Sequence, residues 1–186
     1  KIILSIILCL CCCASSFGVM TKFDDIREGD IVFQISKSKQ APFIMYAQRD
    51  LYSHCGIVIE KNKQLYVLEA SNVVKLTPYS DWVNKGRFTL FTEVRVFDKP
   101  IKIKYKKYLG QPYDMSFKFN NGKMYCSELV YIIYKEQFGI ELCKPRKVST
   151  YRTFGLGWLL RKRGINPNQL VVAPVDLARS KHIHNV

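Results

Sequence analysis

The spacing of residues from Cys126 to Phe138 constrains the fold of this chain more than any other feature. Positions i, i+3, i+4, i+7 and i+11 of this stretch are Cys126, Leu129, Val130, Ile133 and Gln137, which fall on one face of an α-helix. Gly139 follows directly, as a residue that ends helices. The sequence therefore predicts a helix over residues 126–138 that packs one face against the domain and begins at a cysteine.

Strands and turns come before this helix. The predicted strands are 31–34 after the Gly29-Asp30 turn, 54–60, its hairpin partner 64–70, and 87–97. Short helices are predicted at 41–50, where Pro42 is the first helical residue, and from Thr77-Pro78 to Gly86. Hairpin strands followed by a long helix are typical of a single α+β domain.

Two later segments give weaker patterns. Between Pro100 and Leu109, Ile101, Ile103 and Tyr105 alternate with lysines, as in a strand. Pro100 and Gly110 suit the start and stop of a helix, and we favour the helix. Residues 170–173 are predicted to form the last strand, and the tail from Ser180 is predicted to be loose.

The first 16 residues have the pattern of a signal peptide. Lys1 precedes an apolar run that ends at Cys13, and Ala14-Ser15-Ser16 supplies the small residues of a cleavage site. No apolar stretch reaches the ~20 residues that a membrane-spanning helix needs. We expect a mature domain of residues 17–186, exported to the periplasm or cell surface. A lipoprotein anchored at Cys13 is a weaker alternative, because Cys12 before it is a poor match.

Cleavage at this site changes the cysteine count. Of seven cysteines, those at 9, 11, 12 and 13 leave with the signal, and Cys55, Cys126 and Cys143 remain. An odd number in an exported domain leaves at least one thiol that cannot pair within the chain. The sequence does not decide whether Cys55 and Cys143 form a disulfide.

The net charge of the chain is strongly positive. It is +14, and one unit belongs to Lys1, which leaves about +13 on the mature domain. Such a charge favours anionic partners, such as acidic lipid headgroups or cell-wall polymers, and export disfavours nucleic acid. A merely soluble basic surface is the alternative. The Arg161-Lys162-Arg163 cluster, with Trp158 nearby, could contact an anionic membrane surface.

His54 is the only histidine outside the last five residues. It stands at the head of a predicted strand, and histidine is the side chain that most often acts as a general base near neutral pH. A hydrogen-bonded structural histidine is the alternative. Strand alternation places Cys55 on the opposite face from His54, so these neighbours are not expected to form a catalytic pair.

Cys126 is the natural partner for this histidine. Free N–H groups and the positive end of the helix favour a thiolate there, and they can hold an oxyanion. The alternative is a buried packing residue, since Cys126 shares a face with Leu129 and Ile133. Cys143 follows the helix in a loop, and we assign it no chemistry.

Glu69 is the predicted third member of the site. It lies among apolar residues on the strand that pairs with the His54 strand, where an unpaired acid would be costly to bury. By accepting a hydrogen bond it would fix the tautomer of His54. An exposed edge position is the alternative, and Asp30 is a substitute candidate. The mature domain shows no metal-ligand spacing and no Gly-rich phosphate loop, so we expect no metal and no cofactor.

Several motifs together resemble one known family. In chain order they are Gly29-Asp30-Ile31-Val32-Phe33-Gln34, Ser53-His54-Cys55-Gly56-Ile57-Val58, Leu68-Glu69-Ala70, Leu109-Gly110-Gln111-Pro112-Tyr113-Asp114, Tyr125-Cys126-Ser127-Glu128-Leu129-Val130 and Val172-Ala173-Pro174-Val175-Asp176-Leu177. Their order is similar to that of the YiiX/YebB-like proteins, the circularly permuted branch of the NlpC/P60 cysteine hydrolases. The resemblance covers about residues 23–180.

The resemblance implies a papain-like fold, in which an antiparallel sheet packs against helices and the catalytic cysteine begins a helix. It also implies a triad of Cys126, His54 and Glu69. Residues within the motifs are predicted to contact the substrate, namely Asp30, Ser53, Tyr113 and Tyr125. Two features depart from the family: Cys55 stands where a small or apolar residue is expected, and residues 144–164 match nothing in it.

The implied function is acyl transfer by an exported cysteine hydrolase. The leading substrate is a cell-wall peptide amide, as for ordinary NlpC/P60 enzymes. A lipid ester or amide, cleaved by a hydrolase or acyltransferase, is the alternative within enzymes, since the permuted branch is similar to lecithin-retinol-acyltransferase-like proteins. A binding module that holds lipids or wall fragments without turnover is the alternative outside them. The sequence leaves the oligomeric state open.

Overall fold

A six-stranded antiparallel sheet forms the centre of the fold, with strand order β4-β3-β2-β1-β5-β8. The computed structural model describes residues 25–186, so the predicted signal peptide lies outside the described residues. β6 and β7 form a separate two-stranded ribbon. The strands are β1 Ile31–Ser36, β2 His54–Lys61, β3 Gln64–Ala70, β4 Val74–Pro78, β5 Gly86–Arg95, β6 Arg146–Lys147, β7 Leu170–Val171 and β8 His184–Asn185.

Five helices accompany the strands in this part of the chain. They are α1 Ala41–Gln48, α2 Tyr79–Lys85, α3 Cys126–Phe138, α4 Gly157–Lys162 and α5 Pro174–Ala178, and short 3-10 turns lie at Lys106–Tyr108 and Val148–Thr150. Within residues 25–186, no helix combines the length and apolar character needed to cross a membrane. The predicted α+β class is confirmed, with an antiparallel sheet and helices packed on it.

The two faces of the sheet carry different helices. α3 packs on one face, where alternate β2 residues Cys55, Ile57 and Ile59 are fully buried with Leu129 and other α3 residues. α2 packs on the other face, where Trp82 is buried against Val58 and its neighbours. Each fully buried aliphatic side chain contributes about 1.5–3 kcal/mol of hydrophobic stabilisation. The alternation places Cys55 and His54 on opposite faces, as predicted.

α3 has the bounds that the sequence predicts. It begins at Cys126 and ends at Phe138, and Gly139 adopts a left-handed backbone with φ 68°. Because a left-handed conformation strains residues that carry a Cβ, glycine is favoured at this stop. The helix therefore fixes the cysteine at its first turn, which is buried at the edge of the core.

The helix predicted between Pro100 and Leu109 is wrong. Only Lys106–Tyr108 forms a 3-10 turn. Side chains from elsewhere bind the backbone upstream: Glu28 Oε1 accepts from the N–H of Ile103 at 2.7 Å, and Gln137 Oε1 accepts from that of Lys104 at 2.8 Å. These long-range hydrogen bonds replace those that a helix would make.

The C-terminal region also differs from the sequence-based prediction. The strand predicted at 170–173 stops at Val171, because α5 begins at Pro174. The tail is not loose, since β8 pairs with Val94 and Arg95 of β5. β4 and α4 had no prediction. The cysteines at 55, 126 and 143 are all free thiols, so the Cys55–Cys143 disulfide is not formed.

Candidate active site

His54 is the first residue of β2, and the chain before it is held tightly. Ser53 donates its N–H to Gln34 O at 3.0 Å, and its buried Oγ accepts from Ser36 N at 2.8 Å. His54 then pairs in register with Gln34 on β1. On the α2 side the indole of Trp82 stacks near the imidazole, with ring centroids 6.2 Å apart. Ser53 thus positions His54 as well as lining the groove described below.

Glu69 on β3 contacts His54 directly. Its Oε2 lies 2.6 Å from His54 Nε2, and its Oε1 accepts from Thr77 Oγ1 at 2.6 Å. Burial raises the pKa of Glu69, but the hydrogen bond and charge of His54, followed by Thr77, outweigh it and lower the pKa overall. Both carboxylate oxygens are therefore engaged, and Glu69 remains charged beside the imidazole.

Cys126 interacts with the imidazole of His54 and with Cys55. Burial lowers the pKa of His54, but hydrogen bonds to Cys126 and Glu69 outweigh burial and raise the pKa from 6.5 to about 10. The pKa of Cys126 falls well below 9.0, through the hydrogen bond from Cys55 first and then, against burial, through His54. Both pKa shifts favour the thiolate form of Cys126 and the imidazolium form of His54.

Cys55 is the member of the site that the sequence analysis did not assign. Its thiol and its backbone both lower the pKa of the Cys126 thiol, and its side chain lies on the α3 face of the sheet. Burial and the neighbouring Cys126 thiolate raise the pKa of Cys55, so it stays protonated and donates. The only signal in the sequence was its departure from the small or apolar residue that the family has there.

Thr77 was also missed, because its role depends on the pairing of β3 with β4, which the sequence did not predict. The register places Thr77 opposite Val67, and its hydroxyl reaches Glu69 two residues along. A threonine in a strand carries no signal of this kind by itself. Its contact fixes the carboxylate that orients His54.

Tyr125 immediately precedes α3 and is buried. Its hydroxyl accepts from Val172 N at 3.2 Å, which ties the start of α3 to the segment before α5. Its ring lines the apolar cavity described below. The N–H groups of the first turn that follows have no acceptor within the helix, so they can stabilise a negative oxygen near the sulfur.

Asp30 does not belong to this cluster. Its carboxylate accepts two hydrogen bonds from the guanidinium of Arg95, each 2.8 Å long, and one from Arg27 N at 2.9 Å. The proposals that Asp30 substitutes for Glu69 or contacts substrate are therefore wrong. The buried cation of Arg95 explains the acid in this strand context.

An apolar cavity of about 120 Å³ adjoins Cys126. Side chains of α1, α4 and the segments around β7 enclose it, including Phe43, Ile44, Phe117, Leu160, Ile165 and Val171. Cys126 therefore faces a space that suits an apolar group.

An open groove lies beside His54 and Glu69 and shares a wall with the cavity. The residues that line both are Phe43, Tyr113, Leu159 and Arg163. Tyr113 Oη accepts from Gln40 Nε2 at 2.9 Å. Tyr113 thus lies at the wall between the groove and the cavity, and its contact with substrate stays a prediction.

Metal coordination requires donor groups that converge on one point. Within the part of the chain that the structure describes, no three His, Cys, Asp or Glu side chains are grouped as metal ligands would be. His54 and Cys126 interact with each other, and both oxygens of Glu69 have hydrogen-bond partners. The donor set therefore fits a thiol catalyst rather than a metal centre.

Comparison with known proteins agrees with this geometry. The family described as "Permuted papain-like amidase enzyme, YaeF/YiiX, C92 family" matches residues 25–186. "Uncharacterized protein YiiX" of Escherichia coli (strain K12) is 36% identical over 132 residues, which are 67% of this chain and 65% of that protein, slightly under two thirds of its length.

A solved structure gives the same result for the fold. The crystal structure of a protein described as "metalloprotein yiiX", from Escherichia coli O157:H7, superposes with a TM-score of 0.79 at 31% identity, and the match covers 86% of this chain and 96% of that one. The predicted papain-like permuted fold is confirmed over the described residues.

Proposed function

This chain belongs to the permuted papain-like amidase family of YaeF and YiiX, and we propose that it is a cysteine hydrolase with Cys126 as nucleophile, His54 as acid and base, and Glu69 as the group that orients His54. One observation carries the proposal: His54 lies between a buried carboxylate, 2.6 Å from Nε2, and the thiol of Cys126. The arrangement places a nucleophile, a proton carrier and an orienting acid next to one another.

The reaction starts from the thiolate–imidazolium pair. The sulfur of Cys126 attacks the substrate carbonyl, a C–S bond forms, and the carbonyl oxygen takes the negative charge beside the N–H groups of the first turn of α3. His54 gives its proton to the leaving nitrogen or oxygen as that bond breaks and a thioester remains. Water then attacks the thioester, His54 takes its proton, and cleavage of the C–S bond restores the thiolate and imidazolium.

The cavity beside Cys126 bears on the substrate. Its lining is apolar, and a peptide placed there would bury N–H and C=O groups without partners, at a cost of about 1–3 kcal/mol each. An acyl chain would have no such cost. We therefore favour an ester or amide whose acyl group is apolar, and the amidase description of the family favours an amide.

A cell-wall peptide amide, the leading substrate from the sequence, remains a second proposal. It would have to bind along the open groove, which offers polar side chains such as Gln34, Ser36 and Asn72. Action outside the cytoplasm is likewise a proposal, which rests on the apolar run before Ala14. An exported enzyme would encounter either kind of substrate outside the cytoplasm.

The description "metalloprotein" applies to the related Escherichia coli O157:H7 protein. In residues 25–186 of this chain the donor groups that a metal would need are not brought together.

The test is the rate at which iodoacetamide alkylates Cys126 between pH 4 and 9, with peptide mapping to locate the label. We expect fast labelling below about pH 7, because the thiolate is already formed there, and loss of this rate in His54→Ala. Cys143 is an internal control, since burial raises its pKa to about 12 and it should react slowly in both proteins.

The opposite result would be slow labelling that rises only near pH 8.5 and is equal in both proteins. Cys126 would then be a packing residue, and the binding-module alternative would replace the enzyme. Circular dichroism of His54→Ala shows whether that variant is folded.

A further inference from the structure

The groove beside His54 is lined by an excess of cations. Arg163 and six lysines surround it, namely Lys37, Lys39, Lys75, Lys85, Lys123 and Lys162. Within residues 25–186 none of these seven groups forms a salt bridge. Two carboxylates, those of Glu69 and Asp114, line the same groove, so its seven cations leave it with a net positive charge.

The two carboxylates in the groove accept hydrogen bonds from groups other than these cations. Glu69 is bound by His54 and Thr77. Asp114 accepts four hydrogen bonds from its own loop, from the N–H and Oγ of Ser116, the N–H of Lys118 and the amide of Asn121. Both carboxylates are buried and accept hydrogen bonds from nearby groups, so the lysines remain available to an external anion.

Arg163 has the most informative position. It lines both the groove and the apolar cavity, and its guanidinium lies 5.9 Å from the ring centroid of Phe117. A half-buried guanidinium that faces aromatic and aliphatic side chains without a carboxylate partner is unfavourable. An anion bound at the junction would compensate it.

Exposed aromatic side chains flank the same opening. Trp158 on α4 is 53% exposed and packs edge-on against Phe43, and Phe154 before α4 is 85% exposed. Basic residues at the end of α4, Arg161 and Lys162, lie beside them. Large aromatic rings next to cations are typical of surfaces that contact a lipid headgroup region.

We propose that the substrate is an acyl lipid with a phosphate-bearing head group of net negative charge, whose acyl chain enters the cavity beside Cys126 while the phosphate binds Arg163 and the lysines of the groove. This inference rests on the proposed hydrolase function and names its substrate. The scissile carbonyl of such a lipid lies between an apolar chain and an anionic head. Cys126 borders the cavity and His54 borders the groove, so the two parts of the site meet at that carbonyl.

Binding is tested with Cys126→Ala protein, which cannot form a thioester. Calorimetry would compare monomeric short-chain phosphatidylglycerol, phosphatidylcholine of the same chain length, and inorganic phosphate. We expect phosphatidylglycerol to bind about tenfold more tightly than phosphatidylcholine, with an affinity that falls as salt rises, and phosphate alone to bind far more weakly.

The variant that tests the junction is Arg163→Gln. It should reduce the preference for phosphatidylglycerol about tenfold. In the enzyme with its cysteine intact it should raise KM for that lipid and leave kcat largely unchanged. The matched control is Lys61→Gln, which removes one exposed cation at the far end of β2, roughly 23 Å along the strand from His54, and should change neither quantity.

Three results would overturn the proposal. The first is equal affinity for the two lipids. The second is phosphate binding as tightly as the phospholipid, which would indicate a free-anion site. The third is release of peptides from purified peptidoglycan with no fatty acid released from phospholipid, both read by mass spectrometry. Iodoacetamide labelling tests the hydrolase proposal separately. A reactive Cys126 in a protein without lipid preference would overturn the lipid substrate and leave the hydrolase proposal in place.

Discussion

Two buried pairs of opposite charge lie on the same sheet, and they differ in what their groups have left to bind. In one pair, Arg95 of β5 gives two hydrogen bonds to Asp30, just before β1. In the other, His54 of β2 meets Glu69 of β3. Both consist of a carboxylate and a base on or beside neighbouring strands, so their composition alone does not distinguish them.

Their surroundings distinguish them. Asp30 is also bound by Arg27 N, Arg95 binds Asp25 as well, and neither Asp30 nor Arg95 lines the cavity or the groove. His54 instead uses one side of its ring for Glu69 and the other for a thiol, next to space for a substrate. A buried charge pair of this chain is thus a reactive site only where one group remains available beside a cavity.

The largest expected effect is a loss of stability when the Arg95–Asp30 pair is broken. Arg95→Met should leave Asp30 buried and unpaired and lower the free energy of unfolding by about 3–5 kcal/mol, measured by urea denaturation. The pH profile of Cys126 alkylation should not change in the protein that remains folded. Asp30→Asn combined with Arg95→Met should recover part of the lost stability, because the buried charge is removed. A changed alkylation profile would show that the two pairs are coupled.

The second largest effect is a loss of activity when the His54–Glu69 pair is changed. Glu69→Gln removes the charge that supports the imidazolium, so the pKa of His54 should fall from its raised value of about 10. The pH range of the thiolate–imidazolium pair lies between the pKa of Cys126 and that of His54, so its upper limit should move to lower pH. We expect kcat/KM to fall about 10²-fold, which is about 2.7 kcal/mol.

The control for this variant is Glu93→Gln. Glu93 is another buried carboxylate of the sheet, on β5, and it binds Tyr79 rather than a histidine. It should leave the alkylation profile and kcat/KM unchanged. An equal loss of activity in both variants would mean that Glu69 acts through stability rather than by orienting His54.

The smallest effect concerns the thiol that supports the nucleophile. Cys55→Ala removes the hydrogen bond from Cys55 to the Cys126 sulfur, so the pKa of Cys126 should rise and its alkylation at pH 5 should slow about tenfold. Cys143→Ala, which removes a free thiol elsewhere, is the matched control. Unchanged labelling in Cys55→Ala would mean that His54 and the helix end alone maintain the thiolate.

The site could be predicted in part because its members carry strong local signals. Cys126 begins the most regular helix of the chain, and His54 is the only histidine before the tail. Glu69 stands on the hairpin partner of the His54 strand, and strand pairing brings those residues together. Their placement agrees with the prediction, while their catalytic roles await the experiments above.

The rest depends on contacts between segments far apart in the chain. Glu28 and Gln137 hold the backbone near Ile103, so local periodicity predicts a helix there that does not form. Arg95 binds Asp30 from 65 residues away, which removes Asp30 from the site. The local sequence around Ile103 or Asp30 does not indicate which distant residue will contact it.

The sequence by itself determined the α+β class, the bounds of α3 and the residues of the candidate triad, because helix periodicity, hairpin pairing and the scarcity of histidine are local properties. Only the tertiary structure decided that Cys55 supports the thiolate, that Thr77 fixes Glu69, and that an apolar cavity meets a basic groove at Cys126 and His54. The physical reason is that hydrogen bonds, burial and electric potential depend on distance in space, which the fold sets by bringing remote segments together.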